Sequence, residues 1–320
     1  MTVALVTGIT GQDGGYLAER LVTEGAEVHG LVRPGEQLPP WLTALGAAVV
    51  LHEAELADVA GVVARVRPER VLHLAGLSSV GLSWQEPVLT AEVNALTCAR
   101  LLEACWQLQD RSGRDVRVVQ ASSAEVFAGT DRVPQDESTP LAPRSPYGAS
   151  KAYAHQLGQV YRARGLFAVN AVLYNHESPR RPPTFVTRKI TSTVAAIARG
   201  DADELVLGNL DARRDWGWAP DYVDAMLRAL DHDTPDDYVV ATGEAHSVRD
   251  FVGAAFTAAG IDDWEHLVRI DEAFVRPTDA AVLVGDASRA RQRLGWRPTV
   301  GFADLVARMV EVDLAAGGAP

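Results

Sequence analysis

Thr2-Val3-Ala4-Leu5-Val6-Thr7-Gly8-Ile9-Thr10-Gly11-Gln12-Asp13-Gly14 lies at the start of the sequence. Thr2 to Thr7 is apolar, rich in β-branched residues and closed by a glycine, the pattern of a buried strand. A helical pattern follows from Tyr16 to Thr23. Strand, Gly-x-x-Gly-x-x-Gly and helix together make a dinucleotide-binding fingerprint in a slightly altered spacing. The glycines permit a tight turn and close backbone approach, and the helix N-terminus faces a pyrophosphate. Gly8, Thr10, Gly11, Gln12, Asp13 and Gly14 are therefore candidate cofactor contacts.

Working outward, strand and helix keep alternating, as a doubly wound parallel sheet requires. Strands are expected at Glu27 to Val32, Ala47 to Leu51, Arg70 to Leu74, Val116 to Val119 and Leu166 to Leu173. Helices are expected at Val59 to Val66, as one long run from Pro87 to Trp106, and at Tyr147 to Ala163. At 320 residues the chain can bury a full core. Its 47% hydrophobic and 22% charged residues are ordinary for a globular protein. The net charge of −12 argues against nucleic acid or an anionic membrane as partner. Cys98 and Cys105, two helical turns apart, are too far apart for a disulfide and read as packing residues. No metal-ligand spacing occurs. With no signal peptide or membrane-length apolar run after Met1, the expected location is the cytoplasm.

The chemistry concentrates between Gln120 and Lys151. Ser122-Ser123-Ala124-Glu125 follows a strand, and in an open parallel sheet ligands bind at the carboxyl ends of strands. Tyr147 and Lys151 stand four apart at the start of a helix, so both side chains lie on one face. A lysine so placed is expected to lower the phenol below its usual value of about 10 and make it a general base. An isolated Tyr-x-x-x-Lys is more often a surface pair; Ser123, Glu125 and the glycine turn reverse that reading.

After the second strand comes Gly30-Leu31-Val32-Arg33, with no acid until Glu36. An acid here suits a ribose 2′-hydroxyl and an arginine a 2′-phosphate, so Arg33 favours NADP, with NAD still possible. Further on, Asn175 to Pro183, Arg213-Arg214 and Val275 to Thr278 are arginine-bearing clusters in an acidic chain. Three of them downstream of a dinucleotide domain suggest a second, phosphorylated ligand.

Together Thr7-Gly8-x-x-Gly-x-x-Gly, Asn94, Ser123 and Tyr147-x-x-x-Lys151 resemble the extended short-chain dehydrogenase/reductase superfamily. Four stretches resemble its GDP-mannose 4,6-dehydratases: Thr7 to Ala18, Asn175 to Arg181 with Thr184 to Ile190, Leu207 to Gly217, and Arg276 to Thr278 with Leu283 to Asp286. The resemblance implies a Rossmann-type domain, residues 1–173 with about 217–245, and a smaller C-terminal α/β domain, about 174–216 with 246–320, for a GDP-sugar. It implies a hydro-lyase reaction with Tyr147 and Lys151 as base and helper, Ser123 on the 4-oxygen and Glu125 as the C5 base. It places Glu55, Leu56, Leu74, Ala75, Gly76 and His176 with the cofactor. Ser79, Asn175, Glu177, Arg181, Val186, Arg188, Lys189, Gly208, Asn209, Arg214 and Arg276 go with the nucleotide sugar.

The chain departs from the family at Ala124, in Leu77-Ser78-Ser79, where serine replaces the family's histidine, and in a short segment after Arg33. That segment leaves a homodimer through the helices at Pro87 to Trp106 and Tyr147 to Ala163 as the expected assembly, and the family's tetramer open. Other readings stay open too: the same dehydration of another nucleotide sugar or nucleoside, a 4-keto-sugar reductase or epimerase, and a non-catalytic nucleotide sensor.

Overall fold

The computed structural model describes residues 2–272 and 282–317. The first half alternates as expected: β1 (Val3–Thr7), α1 (Gln12–Thr23), β2 (Glu27–Val32), α2 (Pro40–Leu45), β3 (Val49–Glu53), α3 (Val59–Val66), β4 (Arg70–His73), α4 (Val80–Gln85), α5 (Pro87–Ala91), α6 (Thr97–Ser112), β5 (Arg117–Ser123), α7 (Pro146–Ala163) and β6 (Phe167–Leu173). The second half carries β7 (Asn175–Glu177), α8 (Val186–Arg199), β8 (Leu205–Leu207), β9 (Arg213–Arg214), β10 (Trp216–Trp218), α9 (Ala219–Asp231), β11 (Asp237–Val240), β12 (His246–Ser247), α10 (Val248–Ala258), β13 (Val268–Ile270), β14 (Val282–Leu283), α11 (Ser288–Leu294) and α12 (Phe302–Ala316).

Seven strands form one sheet in the order β11-β6-β5-β4-β1-β2-β3, every neighbouring pair parallel. The chain reverses its winding between β1 and β4, and a ligand crevice opens there at the carboxyl ends. Register then sets the depth of the site. Thr7, His73 and Gln120 share one level across β1, β4 and β5. β5 runs on past that level through Ala121, Ser122 and Ser123, each paired with β6. The strand is thus longer than its apolar run, because backbone pairing with β6 continues after the hydrophobic signal ends.

The expected long helix is also modified. α5 and α6 are joined by a π turn over Glu92–Leu96. Such bulges are rare and gather at functional sites, and this one carries Asn94.

Side chains from both sheet faces pack into two cores, one under α1 and α9, the other under α3, α6 and α7. A separate cluster of Ile190, Leu205, Trp216, Phe251, Phe256 and Val306 joins α8, β8, β10, α10 and α12. Cys98 and Cys105 are free, buried thiols. Among the described residues no helix is long and apolar enough to cross a membrane.

The glycine turn is sterically obligatory at two positions. Gly8 has φ +73°, and a Cβ there would meet the Ala75 amide nitrogen at 2.8 Å. A Cβ on Gly14 would lie 2.2 Å from the Gly8 carbonyl oxygen, a contact only backbone movement relieves. Gly14→Ala should therefore destabilise the fold by roughly 3 kcal/mol or more. Chemical denaturation and a dinucleotide titration check it: the midpoint falls and binding is lost together.

Candidate active site

The turn after β1 brings the first group of candidates together. The N-cap of α1 is Gly11, with no side-chain cap on the first N–H groups of the helix. Thr7 Oγ1 accepts from the Ala75 amide at 3.2 Å, tying β1 to the Leu74-Ala75-Gly76 segment after β4. The helix N-terminus and a glycine cradle that Cβ atoms would fill fit the pyrophosphate of a dinucleotide.

Three other candidates are committed to the chain itself. Gln12 donates to the His176 carbonyl and accepts from Ser178 Oγ. Asp13 accepts from His176 Nε2 at 2.8 Å, while Nδ1 of the same ring reaches the Tyr174 carbonyl at 2.7 Å. Asp13, Gln12 and His176 thus clamp α1 to β7. Burial works to raise the Asp13 carboxyl, but the His176 charge and hydrogen bond hold it below its ordinary range. Burial likewise disfavours the His176 imidazolium, and Asp13 outweighs it, holding the ring above its usual value.

The sign of the pH dependence follows from those shifts. The His176 contribution is full below about 6.5 and fades as pH rises through the raised folded value; the Asp13 contribution fades only in acid. Ligand-free chain should lose stability as pH rises from about 6.5 through the raised His176 value, by on the order of 2 kcal/mol for a charge-assisted bond. Thermal melts of the wild type and Asp13→Asn across that range provide the check. The variant should show the smaller drop, and parallel curves would remove the pair from the account.

The catalytic candidates converge at the end of β5. Ser145 caps α7, its Oγ accepting from the Gly148 amide at 3.0 Å, and Pro146 fits the first helical turn. A Cβ on Gly148 would lie 2.8 Å from the Glu125 carbonyl, so α7 packs directly on the 3₁₀ turn of Ala124–Phe127. Ser123 Oγ accepts from the Glu125 amide at 3.3 Å and hydrogen-bonds the Tyr147 phenol. Glu125 acts on the same phenol through its charge.

Behind α7, Asn94 in the π turn accepts from the Leu77 amide at 2.8 Å and donates to Ser150 Oγ at 3.1 Å. Ser150 donates to the Tyr147 carbonyl at 2.7 Å. The π turn thus fixes the first turn of α7 and the loop after β4 through one amide.

One expectation is corrected here. Lys151 does not lower the phenol. Its ammonium donates to the Ala121 carbonyl at 2.8 Å, and burial pushes it down to about 8. Burial dominates at Tyr147 and raises it, aided by the Glu125 charge; the Ser123 hydrogen bond and the Arg181 charge only partly offset this. Local spacing placed the two residues on one face, but the low-dielectric surroundings decide the direction of the shift.

Arg181, on the loop after β7, is a basic candidate whose charge acts on the Tyr147 phenol. It pairs with buried Glu177 at 3.1 Å and lies over the Phe185 ring. Glu177 also accepts from Thr187 Oγ1 at 2.6 Å, so it holds Arg181 and the start of α8 in place. Val186 and Lys189 occupy the first turns of that helix. Arg188, by contrast, donates to the Pro179 carbonyl and to Asp313 of α12, a fixed partner that competes with any anionic ligand.

Asn175 opens β7, and Ser79 caps α4 by accepting from the Leu82 amide. Gly208 and Asn209 lie on the loop after β8, where Asn209 Oδ1 accepts from the Asp211 amide. Arg214 is buried in β9 and donates to the Arg213 carbonyl. Arg276 lies outside the described residues. Beside Arg214, Asp215 is fully buried and accepts from the Thr242, Gly243 and Gly285 amides. Its role was hidden in the sequence because its partners come from distant segments.

At the outer corner Arg33, exposed, pairs with Glu36 at 3.2 Å, and Glu36 also accepts from Thr10 Oγ1 at 3.0 Å. Glu55 is exposed nearby and acts on Arg33 electrostatically; Leu56 packs on the core. Among the described residues no His/Cys/Asp/Glu cluster could hold a metal ion.

A seven-stranded parallel sheet with its glycine turn at the switch point, and Asn94, Ser123, Tyr147 and Lys151 at the β5–α7 end, define an extended short-chain dehydrogenase/reductase. Within that class, the chain belongs to the GDP-mannose 4,6-dehydratase family. The family model described as GDP-mannose 4,6 dehydratase matches residues 5–309. The chain is 46% identical to GDP-mannose 4,6 dehydratase 2 of Arabidopsis thaliana, covering 98% of this chain and 87% of that one. It is 41% identical to GDP-mannose 4,6 dehydratase of Homo sapiens, covering 98% and 91%. Among solved structures it resembles UDP-glucose 4-epimerase of Thermus thermophilus in complex with NAD, with TM-score 0.83, 29% identity and coverage of 99% and 100%.

Proposed function

We propose that this chain dehydrates a nucleotide sugar at carbons 4 and 6, converting GDP-mannose to the 4-keto-6-deoxy sugar. The observation that carries this is Glu125: a carboxylate whose charge acts on the Tyr147 phenol, where a simple alcohol oxidation needs only the serine, tyrosine and lysine. Close relatives described as GDP-mannose 4,6 dehydratases support the choice of substrate.

A nicotinamide dinucleotide on the glycine turn supplies reversible hydride storage, taken from C4 and returned to C6. Tyr147 takes the 4-hydroxyl proton, and Ser123 holds the 4-oxygen through the change from alcohol to ketone. Lys151, fixed by the Ala121 carbonyl, keeps a positive charge beside this face below about pH 8. The 4-ketone acidifies the C5 hydrogen, which Glu125 removes as base. Protonated Glu125 then gives its proton to the departing 6-hydroxyl, so water leaves and the carboxylate is restored; as the hydride returns to C6, C5 takes up a proton from solvent and Tyr147 releases its own, so every group ends as it began. Arg181, beside the phenol, suits the sugar diphosphate by its planar donor fork. Arg214, Asn175 and Lys189 support the same ligand from β9, β7 and α8. For the dinucleotide, Arg33 speaks for NADP and Glu36 against it. The division of labour between a dinucleotide half and a sugar half belongs to this reading.

Mass spectrometry of GDP-mannose incubated with the chain and a catalytic amount of dinucleotide tests the reading. Loss of one water with the dinucleotide unchanged is the expected result. Absence of reaction, with dinucleotide still bound, would move the same chemistry to another nucleotide sugar.

Leu82, Trp84, Val88 and Leu89 on α4 and α5, with Tyr153 and Val160 on α7, are exposed apolar residues. They support a homodimer formed through these helices. Sedimentation should give twice the chain mass of 34.3 kDa, and Val88→Glu with Val160→Glu should halve it.

A further inference from the structure

The corner beyond β2 carries an acid that the proposed reaction does not use. Glu36 is 18% exposed at its side chain, whereas Arg33 beside it is 68% exposed. The Glu36 carboxylate accepts from Thr10 Oγ1 at 3.0 Å, from the Arg33 amide at 3.0 Å and from the Arg33 guanidinium at 3.2 Å. Thr10 belongs to the glycine turn and Arg33 directly follows the second strand. Their convergence is where the adenosine ribose of a dinucleotide on such a turn is read.

A 2′-phosphate would need the same donors and would meet a like charge already seated on them. A 2′-hydroxyl has a proton to give, and a carboxylate so held has lone pairs left to accept it. Burial works against the Glu36 charge, but the bonds from Arg33 and Thr10 outweigh it and hold the carboxyl below its ordinary range. Glu55 adds a second negative charge acting on Arg33. Arg33 is therefore not a cation waiting for a phosphate.

We propose that Glu36 sets the choice of dinucleotide in this chain: it occupies the donors that a 2′-phosphate requires, accepts the 2′-hydroxyl instead, and makes NAD the preferred cofactor. The inference rests on the dinucleotide-binding reading of the glycine turn, and it opposes the preference for NADP that Arg33 alone suggests.

Calorimetric titration of the sugar-free chain with NAD and, separately, NADP tests it without reference to turnover. NAD should bind about tenfold more tightly or better, as like-charge juxtaposition in a binding site disfavours the wrong partner. Glu36→Gln keeps a side chain able to accept from Thr10 and removes the charge. It should shift the ratio of affinities towards NADP by about tenfold, and adding Arg33→Ala to that variant should take the gain away. NADP binding as tightly as NAD to the wild type, or a ratio unmoved by Glu36→Gln, would overturn the role of Glu36 alone. Failure of both dinucleotides to bind would overturn the reading beneath it as well.

Discussion

Glu125→Gln is expected to lower dehydration about a thousandfold or more while leaving dinucleotide affinity intact. In the proposed reaction the carboxylate takes the C5 proton and then delivers it to the leaving hydroxyl, and each general acid–base step is worth roughly 10²–10⁴ in rate. An amide of the same shape can do neither. The first oxidation does not use Glu125, so the variant should stop after it. Mass spectrometry at high enzyme concentration should find a sugar nucleotide two hydrogens lighter than the substrate. In heavy water the C5 hydrogen should no longer exchange. Retention of wild-type turnover would remove Glu125 from the reaction. The backbone should tolerate the change, since the packing of α7 on this turn is made by the Glu125 carbonyl, which the substitution keeps.

Tyr147→Phe should be as damaging and at an earlier point. Without the phenol no group is placed to take the 4-hydroxyl proton, and kcat should fall by about 10²–10⁴ with little change in KM. No ketone forms, so neither the lighter sugar nucleotide nor C5 exchange should be seen. That contrast separates the two residues. Stability should change by only about 1 kcal/mol, because the buried ring remains and the lost hydroxyl contributes about one hydrogen bond. Accumulation of the oxidised sugar in this variant would assign proton removal to another group. Burial raises the Tyr147 phenol in the ligand-free chain.

Much of this is legible in the sequence. The strand–glycine–helix start, the alternation that makes a parallel sheet, and Tyr147 and Lys151 on one helical face all follow from rules with a reach of a few residues. The resemblance to GDP-mannose 4,6-dehydratases, read from four stretches across the chain, agrees with the family match over residues 5–309.

Other features could not be read that way. The extension of β5 to Ser123 is set by pairing with β6, and the Asn94 bulge shows itself only where it meets Leu77 and Ser150. Arg188 is paired with Asp313, far along the chain, which no local rule shows. Arg33 is bonded to Glu36, which Thr10 of the glycine turn also holds, a meeting that local spacing does not show. The sequence by itself determined where strands, turns and reactive side chains fall, because sterics and periodicity act between near neighbours. Only the tertiary structure decided which charges are already paired and which way the phenol of Tyr147 shifts, because electrostatic energies depend on burial and on partners brought together from distant parts of the chain.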